Sequence, residues 1–168
     1  MAVIRVRPAE PADALRIAEV HVRSWQSGYA GILDDAFLAD LDIAPRHDRW
    51  RRRLAEPGAS STWVVELDGE LVGFAGLGPS RDADLDGQVW RELMTCYLLP
   101  SAWGSGAAGV LVGRAVPEDE NHFLWVLSDN HRAQAFYRKH GFAADGAVRP
   151  IELGGREVPE LRMRRPAN

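Results

Sequence analysis

The sequence predicts a single mixed α/β domain over residues 1–168, and three observations support this. First, short β-rich runs alternate with stretches whose apolar residues recur every three or four positions, the periods of strands and helices. Second, between Leu93 and Val112 an apolar run stops at Pro100, a small-residue turn follows, and an apolar pattern with helical spacing begins. Third, there is no internal repeat and no Pro/Gly/Ser-rich linker. The order is strand, helices, three strands, helix, strand, helix, two strands, which indicates one layered α/β unit.

Val3-Ile4-Arg5-Val6-Arg7 alternates apolar and charged residues, so it reads as a half-buried strand with Ile4 and Val6 inward, ended by Pro8. Pro11 and Asp13 suit the first turn of a helix. Its stripe is Leu15, Ala18, Val22, Trp25 and Tyr29, loosened at the end by Gly28 and Gly31. Ala36–Leu41 and Arg46–Leu54 read as two short helices, with Pro45 opening the second. Residues 61–67 and 70–77 are β-rich and flank Asp68-Gly69, a strong hairpin signal. Arg81 to Gly87 is a polar loop, and its acidic stretch from Asp82 to Asp86 hints at a cationic partner. Gln88–Leu99 is a long strand entering the small-residue turn. The helix after it is short because Pro117 and the acidic loop Glu118-Asp119-Glu120 follow. Phe123–Leu127 reads as a strand buried on both faces. Asn130 caps a helix holding Ala133, Phe136 and Tyr137, which Gly141 stops. Phe142 starts another strand, and Gly154-Gly155 turns the last hairpin, which Leu161–Arg165 closes.

Composition narrows the function. Hydrophobic residues make up 46% and charged residues 26%, the balance of a soluble globular protein with a real core. A net charge of −4 argues against nucleic acid as the main partner. Cys96 is the single cysteine, so an internal disulfide is ruled out and a reducing cytoplasm suits the chain. No run approaches the ~20 apolar residues of a membrane span, and the first residues do not form a signal peptide. The five histidines show no metal-ligand spacing, so no metal is expected.

Strand, glycine turn and helix in that order can hold a phosphate on backbone N–H groups at the helix start. Glycine allows close approach of a ligand, and the helix dipole adds partial positive charge. By itself Trp103-Gly104-Ser105-Gly106-Ala107-Ala108-Gly109 fits either that role or a plain surface turn. Asn130 and Tyr137 are seven residues apart, two helical turns, and so share a face. An amide and a phenol there could bind a ligand, or could serve as an N-cap and a packed aromatic.

These residues together resemble the GNAT superfamily of N-acetyltransferases. The resemblance spans nearly the whole chain, from the Val3 strand to the Arg165 strand. His21-Val22-Arg23-Ser24-Trp25 and Tyr29-Ala30-Gly31-Ile32-Leu33 are similar to segments of bacterial members. Asn130-His131-Arg132-Ala133-Gln134-Ala135-Phe136-Tyr137-Arg138-Lys139-His140-Gly141-Phe142 is similar to the family's Asn-x-x-Ala-x-x-Phe-Tyr-x-x-x-Gly-Phe. In the loop Gly106 and Ala108 fit the family pattern, whereas Trp103 and Ser105 stand where a polar and a basic residue are usual. More of the pyrophosphate contact then falls to the backbone.

The resemblance implies a central, mostly antiparallel twisted sheet of six to seven strands flanked by helices, with a splayed central pair of parallel strands. It implies acetyl-CoA as co-substrate and a small-molecule or peptide amine as acceptor, and it leaves a homodimer open. Cys96, Tyr97 and Leu98 would pair with the pantetheine arm, residues 103–109 would hold the pyrophosphate, and Asn130 would bind either. Tyr137 would protonate the departing thiolate. Glu92 has two readings: the base that takes the amine proton, or a solvent-facing residue paired with an arginine such as Arg91 or Arg114. Trp25, Tyr29 and Ile32 would shape the acceptor pocket, with His21 and Ser24 nearby, although Trp25 also fits core packing. Cys96 reads as a small buried hydrophobe rather than a nucleophile. His131 and His140 read as surface residues. The arginine run from Arg46 to Arg53 reads as a solvated helix face, or as a contact to the CoA 3′-phosphate. Two other functions stay open: an acyl-CoA-binding domain without turnover, and transfer of another acyl group such as succinyl or propionyl.

Overall fold

In the computed structural model, which describes residues 2–85 and 87–168, seven strands form one sheet in the order β1-β2-β3-β4-β5-β7-β6. The strands are β1 Ile4–Pro8, β2 Ser61–Leu67, β3 Glu70–Pro79, β4 Trp90–Leu98, β5 Asn121–Leu127, β6 Ala143–Leu153 and β7 Arg156–Arg165. The helices are α1 Ala14–Gly28, α2 Asp35–Ala39, α3 Ile43–Ala55, α4 Ala107–Ala115 and α5 His131–Lys139. Every neighbouring pair is antiparallel except β4 and β5, which run parallel. The Asp86 end of the acidic loop lies outside the described residues.

Helices cover both faces, which explains the uninterrupted apolar strands. β3 serves both layers, and a register shift that skips Val72 resets its alternation: Leu71 and Phe74 pack with Ile17, Ala18 and Trp50 of α1 and α3. Val72 and Ala75 pack with Leu111, Val112 and Ala115 of α4. Phe74 and Phe123 are fully buried, each stabilising the fold by about 1.5–3 kcal/mol through area removed from water. α2 and the turn before it lie over the last hairpin, where Leu33, Leu38 and Phe37 meet Ile151, Leu153 and Val158.

Several boundaries differ from the sequence expectation for local reasons. Pro11–Asp13 forms a separate 3-10 turn, so α1 starts at Ala14. Its buried stripe runs through Ala14, Ile17 and Ala18. Leu15 lies about 100° round the helix from Ala14 and is exposed. α3 begins at Ile43 rather than at Pro45, because the Asp42 carboxylate accepts from the Ala44 N–H and caps it there. Asp34 does the same for α2 through the Phe37 N–H.

Candidate active site

The site begins where the two parallel strands part. β4 and β5 pair only through Trp90–Glu92 and Asn121–Phe123. From Leu93 to Leu98 the β4 edge facing β5 has no strand partner. A cleft of about 460 Å³ opens there, between Trp25 and Tyr29 at the end of α1 and Ala133, Phe136 and Tyr137 of α5. Cys96, Tyr97 and Leu98 line it.

At one end is the small-residue loop. Gly104 (φ +76°) and Gly106 (φ +89°) adopt left-handed backbone, which other residues reach only with strain. Gly106 is the N-cap of α4, and the first helical bond runs from the Val110 N–H to its carbonyl. The N–H groups of Gly104, Gly106, Ala108 and Gly109 have no partner among the described residues. Trp103, Gly104, Gly106 and Ala108 line the cleft. Ser105, Ala107 and Gly109 stand outside its wall. The Ser105 hydroxyl donates to the Ala102 carbonyl (2.7 Å) and accepts from the Ala107 N–H (3.2 Å), tightening the turn. Ala107 is wholly buried in the core, and Gly109 faces the His140 ring. Trp103 donates its indole N–H to the Leu98 carbonyl (3.3 Å), and the Arg132 guanidinium stacks on the Trp103 ring at 3.6 Å. Arg132 therefore brings a cation to a loop that has none of its own.

Midway along the cleft, α5 presents Asn130 and Tyr137. The Asn130 side chain accepts from the Ala133 N–H (3.1 Å), so it caps the helix while lining the cleft. The Tyr137 hydroxyl lies beside the Cys96 thiol. Burial pushes the Tyr137 phenol well above its usual range and the Cys96 thiol up to about 12, because neither anion would be solvated. Both stay protonated at neutral pH, so Tyr137 can donate a proton and Cys96 is a poor nucleophile.

At the far end, Glu92 is buried (2% exposed). Its partner is neither Arg91 nor Arg114. Arg91 bonds the Ala59 carbonyl and Arg114 lies over Trp63. Arg81 holds Glu92 instead, through two bonds of 2.8 and 2.5 Å. Beyond it, Glu160 on β7 faces Arg149 on β6 (2.7 Å). Arg149 also stacks over Trp125 of β5 at 3.9 Å.

The acidic loop lies at the surface, as read from the sequence, with the Asp84 side chain 65% exposed, but Asp82 reaches back onto the sheet. Asp82 accepts from the Trp125 indole (3.1 Å) and from Arg162 (2.8 Å), and Asp84 also bonds Arg162. Arg162 is thus shared between Asp82 and Asp84. Trp25 and Tyr29 line the cleft, and their rings meet edge-on at 5.1 Å. Ile32 does not line it, because the turn after α1 directs this side chain into the cluster with Leu33 and Leu38.

His21 lies beneath the cleft floor, stacked on Tyr97 at 5.2 Å and edge-on to Trp25 and Phe74. Its Nδ1 accepts from the Trp50 indole (3.4 Å). Burial, aided by Arg46 and Arg49, lowers its pKa to about 3. The arginine run belongs to α3, packed against α1, and Arg46 and Arg53 stack on Trp25 and Trp50. His140 is half-buried and packs on Phe136 at 4.5 Å, whereas His131 is exposed.

Arg81, Trp125, Arg132, Arg149 and Glu160 escaped the sequence reading. Glu160, Arg162 and Arg164 alternate along β7, a pattern that normally marks a solvent face. Here Trp125 and the loop after β3 cover that face. Among the described residues no group of three or more His, Cys, Asp or Glu could hold a metal ion. Among the same residues no helix is long and apolar enough to cross a membrane.

Comparison with known proteins agrees with this geometry. Residues 21–142 match the model of the acetyltransferase (GNAT) family. An uncharacterised N-acetyltransferase of Mycobacterium tuberculosis is 35% identical over 157 residues, covering 90% of this chain and 96% of the relative. Among solved structures, the PaiA N-acetyltransferase of Thermoplasma acidophilum in complex with coenzyme A superposes with a TM-score of 0.72. It is 19% identical, over 98% of this chain and 99% of that one. YncA of Salmonella typhimurium, with its cofactor acetyl-CoA, superposes with a TM-score of 0.70 at 21% identity, over 98% and 94% of the two chains. The parted parallel strands, the glycine turn at the start of α4 and the sequence match agree: the chain belongs to the GNAT family of N-acetyltransferases and is an acyltransferase.

Proposed function

We propose that this chain transfers the acetyl group of acetyl-CoA directly to a primary amine, with residues 1–168 acting as one catalytic domain. The supporting observation is the cleft between β4 and β5, with unpartnered N–H groups at one end and a protonated phenol midway. The unpaired edge around Cys96, Tyr97 and Leu98 suits the amides of a pantetheine arm, which would lie along it like an added strand. The N–H groups of Gly104, Gly106, Ala108 and Gly109 suit a pyrophosphate at the helix start. Arg132 adds the charge, and Asn130 a side-chain amide.

The amine attacks the thioester carbonyl carbon, a C–N bond forms and the C–S bond breaks. Glu92, directly or through water, takes the amine proton, and Tyr137 gives its proton to the leaving thiolate. Most of the acceleration comes from holding the two reactants in line. A half-buried, protonated Cys96 favours direct transfer over an acetyl-enzyme. Acetyl-CoA supply and the single cysteine fit a cytoplasmic setting.

The test is Tyr137→Phe, with thiol release followed over a panel of amines. The expected result is a fall of about 10²-fold in kcat with acetyl-CoA affinity retained. Binding of acetyl-CoA without turnover of any amine by the unmodified protein would instead favour an acyl-CoA sensor. Faster turnover with succinyl- or propionyl-CoA would reassign the acyl group.

A further inference from the structure

The acceptor end of the cleft has a charge arrangement that general amine transfer does not require. Two carboxylates, Glu92 on β4 and Glu160 on β7, are recessed, with side chains 3% and 7% exposed. Two guanidiniums, Arg81 and Arg149, stand above them, with side chains 62% and 40% exposed. Each arginine binds its glutamate on one edge. Arg81 uses Nε and Nη2, while Arg149 uses Nε and directs Nη1 toward Asp82 at 3.5 Å. Arg81 Nη1 and Arg149 Nη2 keep donors without a partner among the described residues. Stacking on Trp125 at 3.9 Å fixes the plane of the Arg149 fork. Beside these charges the wall is apolar, formed by Trp25, Tyr29, Ile151 and Leu153.

We infer that the acceptor is a zwitterion, an amine carried a few bonds from a carboxylate, and that an α-amino acid with an uncharged, apolar side chain is the class this subsite takes. The amine faces the recessed carboxylates, next to the place where the thioester carbonyl must lie. The carboxylate faces the raised guanidiniums, whose fork geometry suits planar anions. The side chain lies on the Trp25–Tyr29 wall. A polyamine fits poorly, because its distal cation would meet Arg81 and Arg149 with no anion of its own. An amino-acid amide or a peptide N-terminus keeps the amine but offers the arginines only a neutral carbonyl.

This inference rests on the acetyl-transfer reading, and the experiment separates their failures. Full-length protein is given acetyl-CoA and, in turn, leucine, methionine and phenylalanine, their amides, a leucyl peptide, and spermidine, with thiol release followed at pH 8. The expected result is a kcat/KM for the free amino acids at least tenfold above that of the amides and peptide, with spermidine lower still. Arg149→Met should bring the acid-to-amide ratio close to one, mainly by raising KM for the acid. Arg81→Gln provides the same readout should Arg149→Met not fold. Equal or better turnover of amides, peptide or spermidine by the unmodified protein overturns the zwitterion assignment and leaves acetyl transfer standing. Turnover of no amine, with acetyl-CoA binding intact in calorimetry, overturns both.

Discussion

Acid should destabilise this protein through one ring. His21 lies among Trp25, Trp50, Phe74 and Tyr97, accepts from the Trp50 indole, and has a folded-state pKa of about 3. In the unfolded chain a histidine titrates near 6.5. Between these values the unfolded state binds the proton and the folded state does not, so stability is lost as pH falls below 6.5. At pH 4.5 the two titrations differ by about 2.5 kcal/mol, a sizeable part of a typical folding free energy. Urea unfolding at pH 7.5 and 4.5, on the parent and on His21→Asn, measures this. Asparagine cannot titrate there, and its carbonyl can still accept from Trp50. The parent should lose about 2.5 kcal/mol more than the variant between the two pH values. His122 and His140 are lowered in the same direction, but they titrate in both proteins and cancel in the comparison. Equal losses in parent and variant would refute the assignment to His21.

Other outcomes follow from the cleft. Glu92→Gln keeps a partner for Arg81 but removes the proposed base, so kcat should fall about 10²-fold; stopped-flow thiol release at pH 8 checks this, and an unchanged kcat would make Glu92 purely structural. Because the Tyr137 phenol is held well above its usual range, the rate should rise with pH and level off without a descending limb below about pH 10. A decline between pH 8 and 9 in the pH–rate profile would contradict a protonated Tyr137. Gly106→Ala forces a left-handed conformation (φ +89°) on a residue with a Cβ, costing about 1–2 kcal/mol in urea unfolding and raising the KM for acetyl-CoA. Arg132→Ala removes the cation stacked on Trp103 and should weaken acetyl-CoA about threefold to tenfold by calorimetry, with kcat little changed.

The sequence made the sheet legible because both helix-covered faces leave dense apolar strands, and the hairpin turns at Asp68-Gly69 and Gly154-Gly155 are local signals. It also marked the loop at Gly104–Gly106 and the Asn130/Tyr137 face, since both depend on short-range spacing. The acceptor end was harder to read. Arg81 reaches Glu92 from a loop eleven positions away, and Arg149 meets Glu160 across a hairpin. Neither pairing leaves a periodic trace. Leu15 was misplaced for a simpler reason: Ala14, Ile17 and Ala18 carry the buried face of α1, and Leu15 sits on its flank. Ile32 followed from family likeness, but the turn at Gly31 directs it elsewhere.

The unpaired edge of β4 has a consequence beyond catalysis. A free strand edge is ordinarily a liability, a template on which another chain can pair and aggregate. Here the unpaired run from Leu93 to Leu98 lies at the bottom of a slot walled by α1 and α5. Trp25 and Tyr137 line that slot on either side of the edge. The same recess that leaves the β4 backbone unpaired therefore also keeps it off the protein surface.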